Sequence, residues 1–136
     1  MSDTQPLIED AVAIVPVRDV EASVDFYADV LGFERRFVSE DKSFAIVVHG
    51  EAALHFIRTD DEAALQATAN NISVYLWVKG VDDLYDIYKA KLDALEDGRV
   101  RAPFTQPYGM REFHVKDPDG CLLFFGENAS DESVQA

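Results

Sequence analysis

The sequence has little cysteine and few basic residues, and each shortage excludes a class of protein. Cys121 is the single cysteine among 136 residues, so no internal disulfide can form. Lysine and arginine together number 12 against 26 aspartates and glutamates, which gives a net charge of -14 at pH 7. Because a chain of this charge repels phosphate groups, nucleic acids and anionic membranes are not expected as partners.

Long apolar runs and targeting signals are also lacking. No apolar stretch approaches the roughly 20 residues that a membrane-spanning helix needs, and the first residues do not follow the basic-then-apolar layout of a secretory signal. We therefore expect a cytoplasmic protein. A glycine-rich phosphate loop, a dinucleotide-binding fingerprint and a paired-cysteine metal motif are missing as well, which excludes the classes that these motifs define.

What the sequence does contain is an internal repeat, with enough apolar material for one packed domain. Hydrophobic residues make up 48% of the chain and aromatic residues 11%, which argues against disorder despite the charge. Residues 17–31 match residues 78–92 at a constant offset of 61 positions (78 minus 17). Seven pairs carry the match, and five of them are identities: Val17 with Val78, Arg18 with Lys79, Val20 with Val81, Glu21 with Asp82, Asp25 with Asp86, Tyr27 with Tyr88 and Leu31 with Leu92.

Each copy of the repeat predicts a strand, a helix and three further strands, so we expect an α+β fold of two tandem βαβββ modules. The eight strands would form an open sheet with a concave face that a single helix per module cannot cover. The modules are predicted over residues 11–58 and 72–127, with a linker over 59–71 and a loose tail over 128–136. Strands are predicted at 12–17, 33–39, 43–49, 52–58, 72–78, 100–103, 110–116 and 121–127.

Turn and capping residues set the expected limits of the helices. Asp19 is placed to cap the first helix, while Gly32 and Gly98 are expected to end the two module helices. A short linking helix is expected from residue 60 to about residue 67. Asp, Pro, Asp and Gly at 117–120 predict a type I turn within a hairpin rather than a ligand site.

Two segments resemble a known family. Residues 18–33 contain the pattern Asp-x-x-x-Ser-x-x-Phe-Tyr, and residues 115–124 contain the Asp-Pro-Asp-Gly turn. With the doubled βαβββ unit, they resemble the vicinal oxygen chelate superfamily, which includes glyoxalase I, extradiol dioxygenases, fosfomycin-modifying enzymes and bleomycin-resistance proteins. The likeness spans about residues 11–127 and is greatest to the bleomycin-resistance-like members. It implies a homodimer with clefts at the subunit boundary.

The resemblance also implies four metal-ligand positions, on the first and last strands of the two modules. These positions are Val12, His55, Ser73 and Phe124. Only His55 coordinates a divalent metal well, so we expect no metal, no other cofactor and no catalytic residue. The alternative is a divalent-metal-dependent lyase, isomerase or dioxygenase with a displaced site formed by His55, Glu112 and His114.

Strand alternation assigns the remaining side chains to two faces of the expected sheet. One face packs against the helices: Ala13, Val15, Val17, Leu54, Phe56, Val74, Leu76, Val78, Leu123 and Phe125. The opposite face of the sheet lines the cleft. The predicted ligand-binding residues on this face are Val12, Ile14, His55, Ile57, Ser73, Tyr75, Trp77, Glu112, His114 and Phe124. Tyr75 and Trp77 have a second explanation, because aromatic residues are also enriched in subunit interfaces.

The cleft and the charge together favour a binding function. A cationic planar ligand would be attracted by the acidic chain and would stack on aromatic side chains, and bleomycin-type antibiotics are of this kind. We therefore expect a metal-free protein that sequesters such a small molecule in a dimer cleft. A ligand-sensing or interaction module is a further possibility.

Three further side chains have chemistry that the sequence leaves open. Glu112 is a candidate general base if it is buried beside His114. Arg111 either pairs with Glu112 or contacts a substrate. Cys121 follows a turn without a basic neighbour, so it is expected to act as a small apolar side chain.

Overall fold

A computed structural model describes residues 6–129 of the chain. Its elements, in chain order, are β1 (Ala13–Val17), α1 (Val20–Asp29), β2 (Glu34–Val38), β3 (Phe44–His49), β4 (Ala52–Arg58), α2 (Glu62–Asn71), β5 (Ser73–Trp77), α3 (Val81–Leu92), β6 (Val100–Thr105), β7 (Met110–Lys116) and β8 (Leu122–Asn128). Within residues 6–129, none of the helices has the length and apolar character that crossing a membrane requires.

The two halves of the chain repeat one topology, which confirms the predicted duplication. The strand order is β1-β4-β3-β2 in the first half and β5-β8-β7-β6 in the second. In each half the first and last strands pair in parallel, and the other neighbours pair antiparallel. The eight strands therefore form two four-stranded sheets, where the sequence predicted one eight-stranded sheet. We refer to them as the first sheet and the second sheet.

The start of each module helix is held by a carboxylate. Asp19 caps α1 as predicted, since its side chain accepts a hydrogen bond of 3.0 Å from the backbone N–H of Ala22. The start of α3 has no cap within its own segment. Instead, the carboxylate of Glu127 on β8 accepts hydrogen bonds of 2.9 Å from the N–H groups of Gly80 and Val81. This contact ties α3 to the second sheet.

Two predicted helix limits were wrong. The helix α3 ends at Leu92 and not at Gly98, although Gly98 does have a positive φ of 89° in the turn before β6. Acidic residues follow Leu92, and negative charge is unfavourable at a helix C-terminus. The linking helix α2 continues to Asn71, where the Asn71 amide donates to the carbonyl of Ala67 at 2.9 Å.

The predicted tail, residues 128–136, begins one residue too early, because Asn128 is the last residue of β8. Residues 130–136 lie outside the described residues. The strand β6 runs past its predicted end at Pro103 to Thr105. Its register with β7 shifts between Arg101 and Phe104, and a bulge on an edge strand is a position that tolerates a proline without an N–H.

The core is one continuous cluster formed by α1, α3 and the helix-facing sides of both sheets. Strand alternation predicted this face well, since Val15, Val17, Leu54, Phe56, Leu123 and Phe125 are buried. Val74, Leu76 and Val78 are only partly buried. These three belong to or follow β5, an edge strand that has a hydrogen-bonded neighbour on one side only.

A buried hydrogen bond connects the two modules. The hydroxyl of Tyr27 on α1 donates to a carboxylate oxygen of Asp117 at 2.8 Å, and both side chains are buried. The other oxygen of Asp117 accepts from the N–H groups of Asp119 and Cys121, which confirms the predicted turn. Cys121 is buried, and its burial, with Asp117 and Asp119 nearby, raises the pKa of its thiol to about 12. It is therefore a packing residue and a poor nucleophile.

The repeat-related tyrosine on α3 has no such partner. Tyr88 is 5% exposed, and its hydroxyl makes no hydrogen bond with any residue of the described range. The two tyrosines thus occupy equivalent positions in the repeat with opposite hydrogen-bonding states.

Candidate ligand-binding site

The outer face of the second sheet carries a group of aromatic side chains, which we call the aromatic face: Tyr75, Trp77, Phe104, His114 and Phe124. The strand register brings them together. Tyr75 lies opposite Phe124, and Phe124 lies opposite His114. In the next row, Trp77 and Glu112 both lie opposite Gly126. Strand alternation thus placed Tyr75, Trp77, Glu112, His114 and Phe124 on one face correctly.

The rings of the aromatic face are in mutual contact. Tyr75 stacks on Phe124 with centroids 5.7 Å apart, and Trp77 lies 5.1 Å from Tyr75. The ring of His114 is 4.1 Å from that of Phe124. Trp77 is 69% exposed and Tyr75 is 36% exposed, so this end of the face is open to a ligand or a second subunit.

Glu112 lies beneath this face and is fully inaccessible to solvent. One carboxylate oxygen accepts hydrogen bonds of 2.9 Å from the hydroxyls of Tyr75 and Tyr108. The other accepts from the amide of Gln106 at 3.1 Å and lies 2.9 Å from Nε2 of His114. The carboxylate is therefore surrounded by four donors, two for each oxygen.

This arrangement keeps Glu112 ionised. Burial disfavours the charged form, but the hydrogen bonds from His114, Gln106, Tyr75 and Tyr108 outweigh it and hold the pKa of Glu112 below its usual value. Because an ionised carboxylate only accepts hydrogen bonds, Nε2 of His114 must carry a proton. The expected role of Glu112 as a general base is not supported, since a low pKa and four occupied acceptor sites leave it a weak base.

Gly126 makes the contact between Tyr75 and Glu112 possible. A Cβ atom at this position would lie 2.6 Å from Cζ of Tyr75, which is closer than real Cβ atoms approach other atoms, and it would also be crowded by Cε1 at 3.0 Å. The tyrosine ring therefore crosses directly over the glycine backbone to reach the carboxylate.

Replacing Gly126 with alanine should displace the Tyr75 ring and break its hydrogen bond to Glu112. We expect the free energy of unfolding to fall by about 1–3 kcal/mol, measured by urea denaturation. In a Tyr75→Ala background the same substitution should have almost no effect, because the clash is gone. Equal losses in both backgrounds would show that Tyr75 is not the cause.

The outer face of the first sheet is open and apolar. We call the side chains Ile14, Phe37, Phe44, His55 and Ile57 the apolar face. His55 lies between Ile14 and Ile46 in the strand register, and its ring is 5.4 Å from that of Phe44. Ile14 is 62% exposed. The predicted orientation of Ile14, His55 and Ile57, away from the helices, is thus correct.

A metal site does not fit the donors on these faces. The four positions implied by the family resemblance supply one imidazole, one hydroxyl and two hydrocarbon side chains. The alternative, a displaced metal site formed by His55, Glu112 and His114, is not assembled within one chain. His55 lies on the first sheet, while Glu112 and His114 lie on the second. Among residues 6–129, no three His, Cys, Asp or Glu side chains are grouped so that they could hold a metal ion.

Three candidate residues, Val12, Ser73 and Arg111, lie away from the centres of these two faces. Val12 precedes β1, and Ser73 is the exposed first residue of β5. Val12 borders a cavity of about 520 Å³ between the starts of β1 and β4 and the edge strand β5. The expected pairing of Arg111 with Glu112 was wrong, because its guanidinium pairs with Asp82 at 2.9 Å. Contact of Arg111 with a substrate stays a prediction. Neighbouring residues on a strand point to opposite faces, so Arg111 faces away from Glu112.

Sequence reasoning missed four residues of the site: Phe104, Gln106, Tyr108 and Arg101. Gln106 and Tyr108 belong to the loop between β6 and β7, where no periodic pattern indicates a direction. Arg101 and Phe104 share a face only because of the β6 bulge. The Arg101 guanidinium lies 3.6 Å from the centre of the Phe104 ring, at the end of the face away from Trp77.

Two tandem βαβββ modules, each with an open outer sheet face, define the class of glyoxalase-type folds. The chain belongs to the Glyoxalase/Bleomycin resistance protein/Dioxygenase superfamily, whose family model matches residues 10–125. This confirms the resemblance that the motifs indicated.

Individual relatives are similar over nearly their whole length. The bleomycin resistance protein of Geobacillus stearothermophilus is 29% identical over 128 residues, covering 85% of this chain and 93% of the relative. The bleomycin-binding protein of bleomycin-producing Streptomyces verticillus, solved with copper(II)-bleomycin, is 30% identical with a TM-score of 0.74, covering 93% of this chain and 100% of that one. A second bleomycin-binding protein, solved with bleomycin, is 25% identical with a TM-score of 0.71, covering 89% of this chain and 99% of that one.

Proposed function

We propose that this protein binds and sequesters a cationic aromatic small molecule of the bleomycin type and does not transform it. The observation that carries the proposal is the ionised carboxylate of Glu112 beneath the aromatic face. Capture of the ligand would be the whole mechanism, because the described residues offer no metal-ligand set and Glu112 is occupied by hydrogen bonds.

The site can recognise both the planar rings and the cationic group of such a ligand. Planar rings stack on Trp77 and Tyr75, which are the exposed members of the aromatic face. A cationic group over these rings gains cation–π attraction and is also attracted by Glu112 directly behind them. The net charge of -14 adds a long-range attraction for cations. Arg101 opposes this attraction at the far end of the face, so the cation is expected at the end formed by Trp77 and Tyr75.

A homodimer is part of the proposal. The apolar face and the aromatic face are both uncovered in a single chain, and their exposed side chains include Ile14, Phe37, Ile57 and Trp77. Exposed apolar faces of this kind favour association. In a symmetric dimer the apolar face of one protomer would oppose the aromatic face of its partner, which makes two equivalent clefts. Tyr75 and Trp77 would then serve as cleft wall and interface together. The cytoplasmic location stays a prediction.

The relatives support the ligand class. The proteins described above are named for bleomycin resistance or solved with bleomycin, and they cover most of this chain. The enzymatic alternative has no comparable support, since the donors within residues 6–129 do not form a metal-ligand set.

Isothermal titration calorimetry with bleomycin and sedimentation velocity test the proposal together. We expect one bleomycin per chain and a dimer before and after binding, with an affinity that falls as salt screens the charges.

Nickel, zinc, manganese or iron(II) ions alone should leave the melting temperature unchanged. The proposal fails if bleomycin produces no binding heat. A melting temperature that rises with metal concentration would favour the enzyme.

A further inference from the structure

The carboxylate of Glu112 gives the aromatic face a negative charge but no free hydrogen-bond acceptor. Its side chain is fully inaccessible to solvent. One oxygen accepts hydrogen bonds from the hydroxyls of Tyr75 and Tyr108, and the other lies within 3.1 Å of nitrogen atoms on Gln106 and His114. Because a carboxylate has roughly four acceptor positions, these partners occupy all of them. A cation above the rings is therefore attracted by Glu112 but cannot donate a hydrogen bond to it.

The exposed side chains of the aromatic face also offer little to an N–H donor. Trp77 and Tyr75 are aromatic, and their rings attract cations through the cation–π interaction. The hydroxyl oxygens of Tyr75 and Tyr108 can still accept a hydrogen bond, but a neutral phenol is a weaker partner for a charged donor than a carboxylate is. A primary ammonium or guanidinium group that leaves water for this face therefore loses hydrogen bonds that the face does not replace.

Other carboxylates lie beside this face and not on it. Asp10 and Glu51 border the cavity of about 520 Å³ at the edge of β5, and both side chains are exposed. Exposed charges are screened by salt and compensate little for the lost hydration of an ammonium group. In the proposed dimer the aromatic face is opposed by the apolar face, whose five members include no carboxylate.

We propose that the aromatic face selects a cationic group without N–H donors, such as a quaternary ammonium, over primary ammonium and guanidinium groups. This inference rests on the proposed function and specifies the ligand class of the same site. An ammonium group with N–H donors is strongly hydrated, whereas a quaternary ammonium presents an apolar surface and has no donor to leave unpaired. It still gains the cation–π attraction of Trp77 and the attraction of the charge on Glu112.

Titration with benzyltrimethylammonium and with benzylammonium tests this inference. Both probes are cations at pH 7 and carry the same ring. Trp77 is the single tryptophan of the chain, so quenching of its fluorescence reports binding at this face. We expect benzyltrimethylammonium to bind the wild-type protein about tenfold or more tightly than benzylammonium, because the N–H groups of benzylammonium lose hydrogen bonds on this face.

A variant that frees an acceptor separates hydrogen bonding from the different sizes of the two probes. Tyr108→Ala removes an exposed side chain and one of the four donors to Glu112. Benzylammonium can then donate to the freed oxygen, so the preference for benzyltrimethylammonium should shrink about tenfold. Ile87→Ala is the matched control, because it removes an exposed side chain on α3, and it should leave the preference unchanged. Glu51→Gln should leave it unchanged as well.

Three results would overturn the inference: no binding of benzyltrimethylammonium, equal affinities of the wild-type protein for the two probes, or the same affinity ratio in Tyr108→Ala as in the wild type. Each of these, found together with normal bleomycin binding, contradicts the inference and leaves the proposed function standing. Absence of bleomycin binding together with the expected preference between the two probes would contradict the proposed ligand and support the inference.

Discussion

Replacing Glu112 with glutamine should weaken bleomycin binding about 10- to 100-fold, as expected when a buried charged partner of a cation is removed. The amide carries no charge, and its NH₂ group cannot accept the hydrogen bonds that the carboxylate oxygen accepts. The side chains of Tyr75, Tyr108, Gln106 and His114 would have to rearrange around it. Calorimetry with bleomycin measures the loss directly.

Asp86→Asn is the matched control for this substitution. It also converts one carboxylate to an amide, but Asp86 is exposed on α3, which packs on the other side of the sheet. Its effect on bleomycin affinity should be small and should disappear at high salt. If Glu112→Gln binds bleomycin as tightly as the wild type, the buried carboxylate does not contribute to recognition, and stacking on Trp77 and Tyr75 would remain as the source of affinity.

The pH dependence of binding follows from the same group. Since hydrogen bonds hold the pKa of Glu112 below its usual value of 4.5, the carboxylate stays ionised through neutral and mildly acidic solution. Its contributions to binding and to folding stability are both present above that pH and are lost as the pH falls through the lowered pKa. Glu112→Gln should lack this step in a pH titration of either quantity.

A second large effect is expected from the two repeat-related tyrosines. Tyr27→Phe should lower the free energy of unfolding by about 1–3 kcal/mol, because the buried carboxylate of Asp117 loses a donor. Tyr88→Phe should leave it unchanged or raise it, since the deleted hydroxyl is buried without a partner. Each variant is the control for the other, because both remove one oxygen atom from a buried tyrosine. Urea denaturation with comparison of m-values measures the difference.

The pH dependence of the Tyr27→Phe variant gives an independent check. Burial raises the pKa of Asp117, while the hydrogen bond from Tyr27 acts in the opposite direction. Without that hydroxyl the pKa should rise further. The native state then holds its proton more tightly, so the destabilisation should be largest at neutral pH and should shrink as acid protonates Asp117. Equal losses in Tyr27→Phe and Tyr88→Phe would contradict the different states of the two hydroxyls.

Much of the architecture could be predicted because it depends on local patterns. The constant offset between Tyr27 and Tyr88 predicts the duplication, and strand alternation predicts that Tyr75, Trp77 and Phe124 share a face. Side chains of a strand point alternately to its two faces, so this information is contained in the sequence itself. The limits of α2 and α3 were less predictable, because they depend on contacts beyond the segment.

The surroundings of Glu112 could not be predicted in the same way. Tyr108 and Gln106 come from a loop, and Phe104 joins the aromatic face through a bulge whose position depends on pairing with β7. Gly126 has no pattern of its own, yet it allows Tyr75 to reach the carboxylate. The division of the strands into two sheets likewise depends on which edges remain unpaired, and no local pattern encodes that choice.

The sequence by itself determined the repeat, the two faces of each strand and the strong negative charge of the chain, since these follow from composition and periodicity. Only the tertiary structure decided the ionisation and hydrogen-bonding states of the buried side chains. Glu112 is an anion held by four donors instead of a base, and one of two equivalent tyrosines is hydrogen-bonded while the buried hydroxyl of the other has no partner among residues 6–129. Such states depend on hydrogen-bond partners distant in sequence, which come together only when the chain has folded.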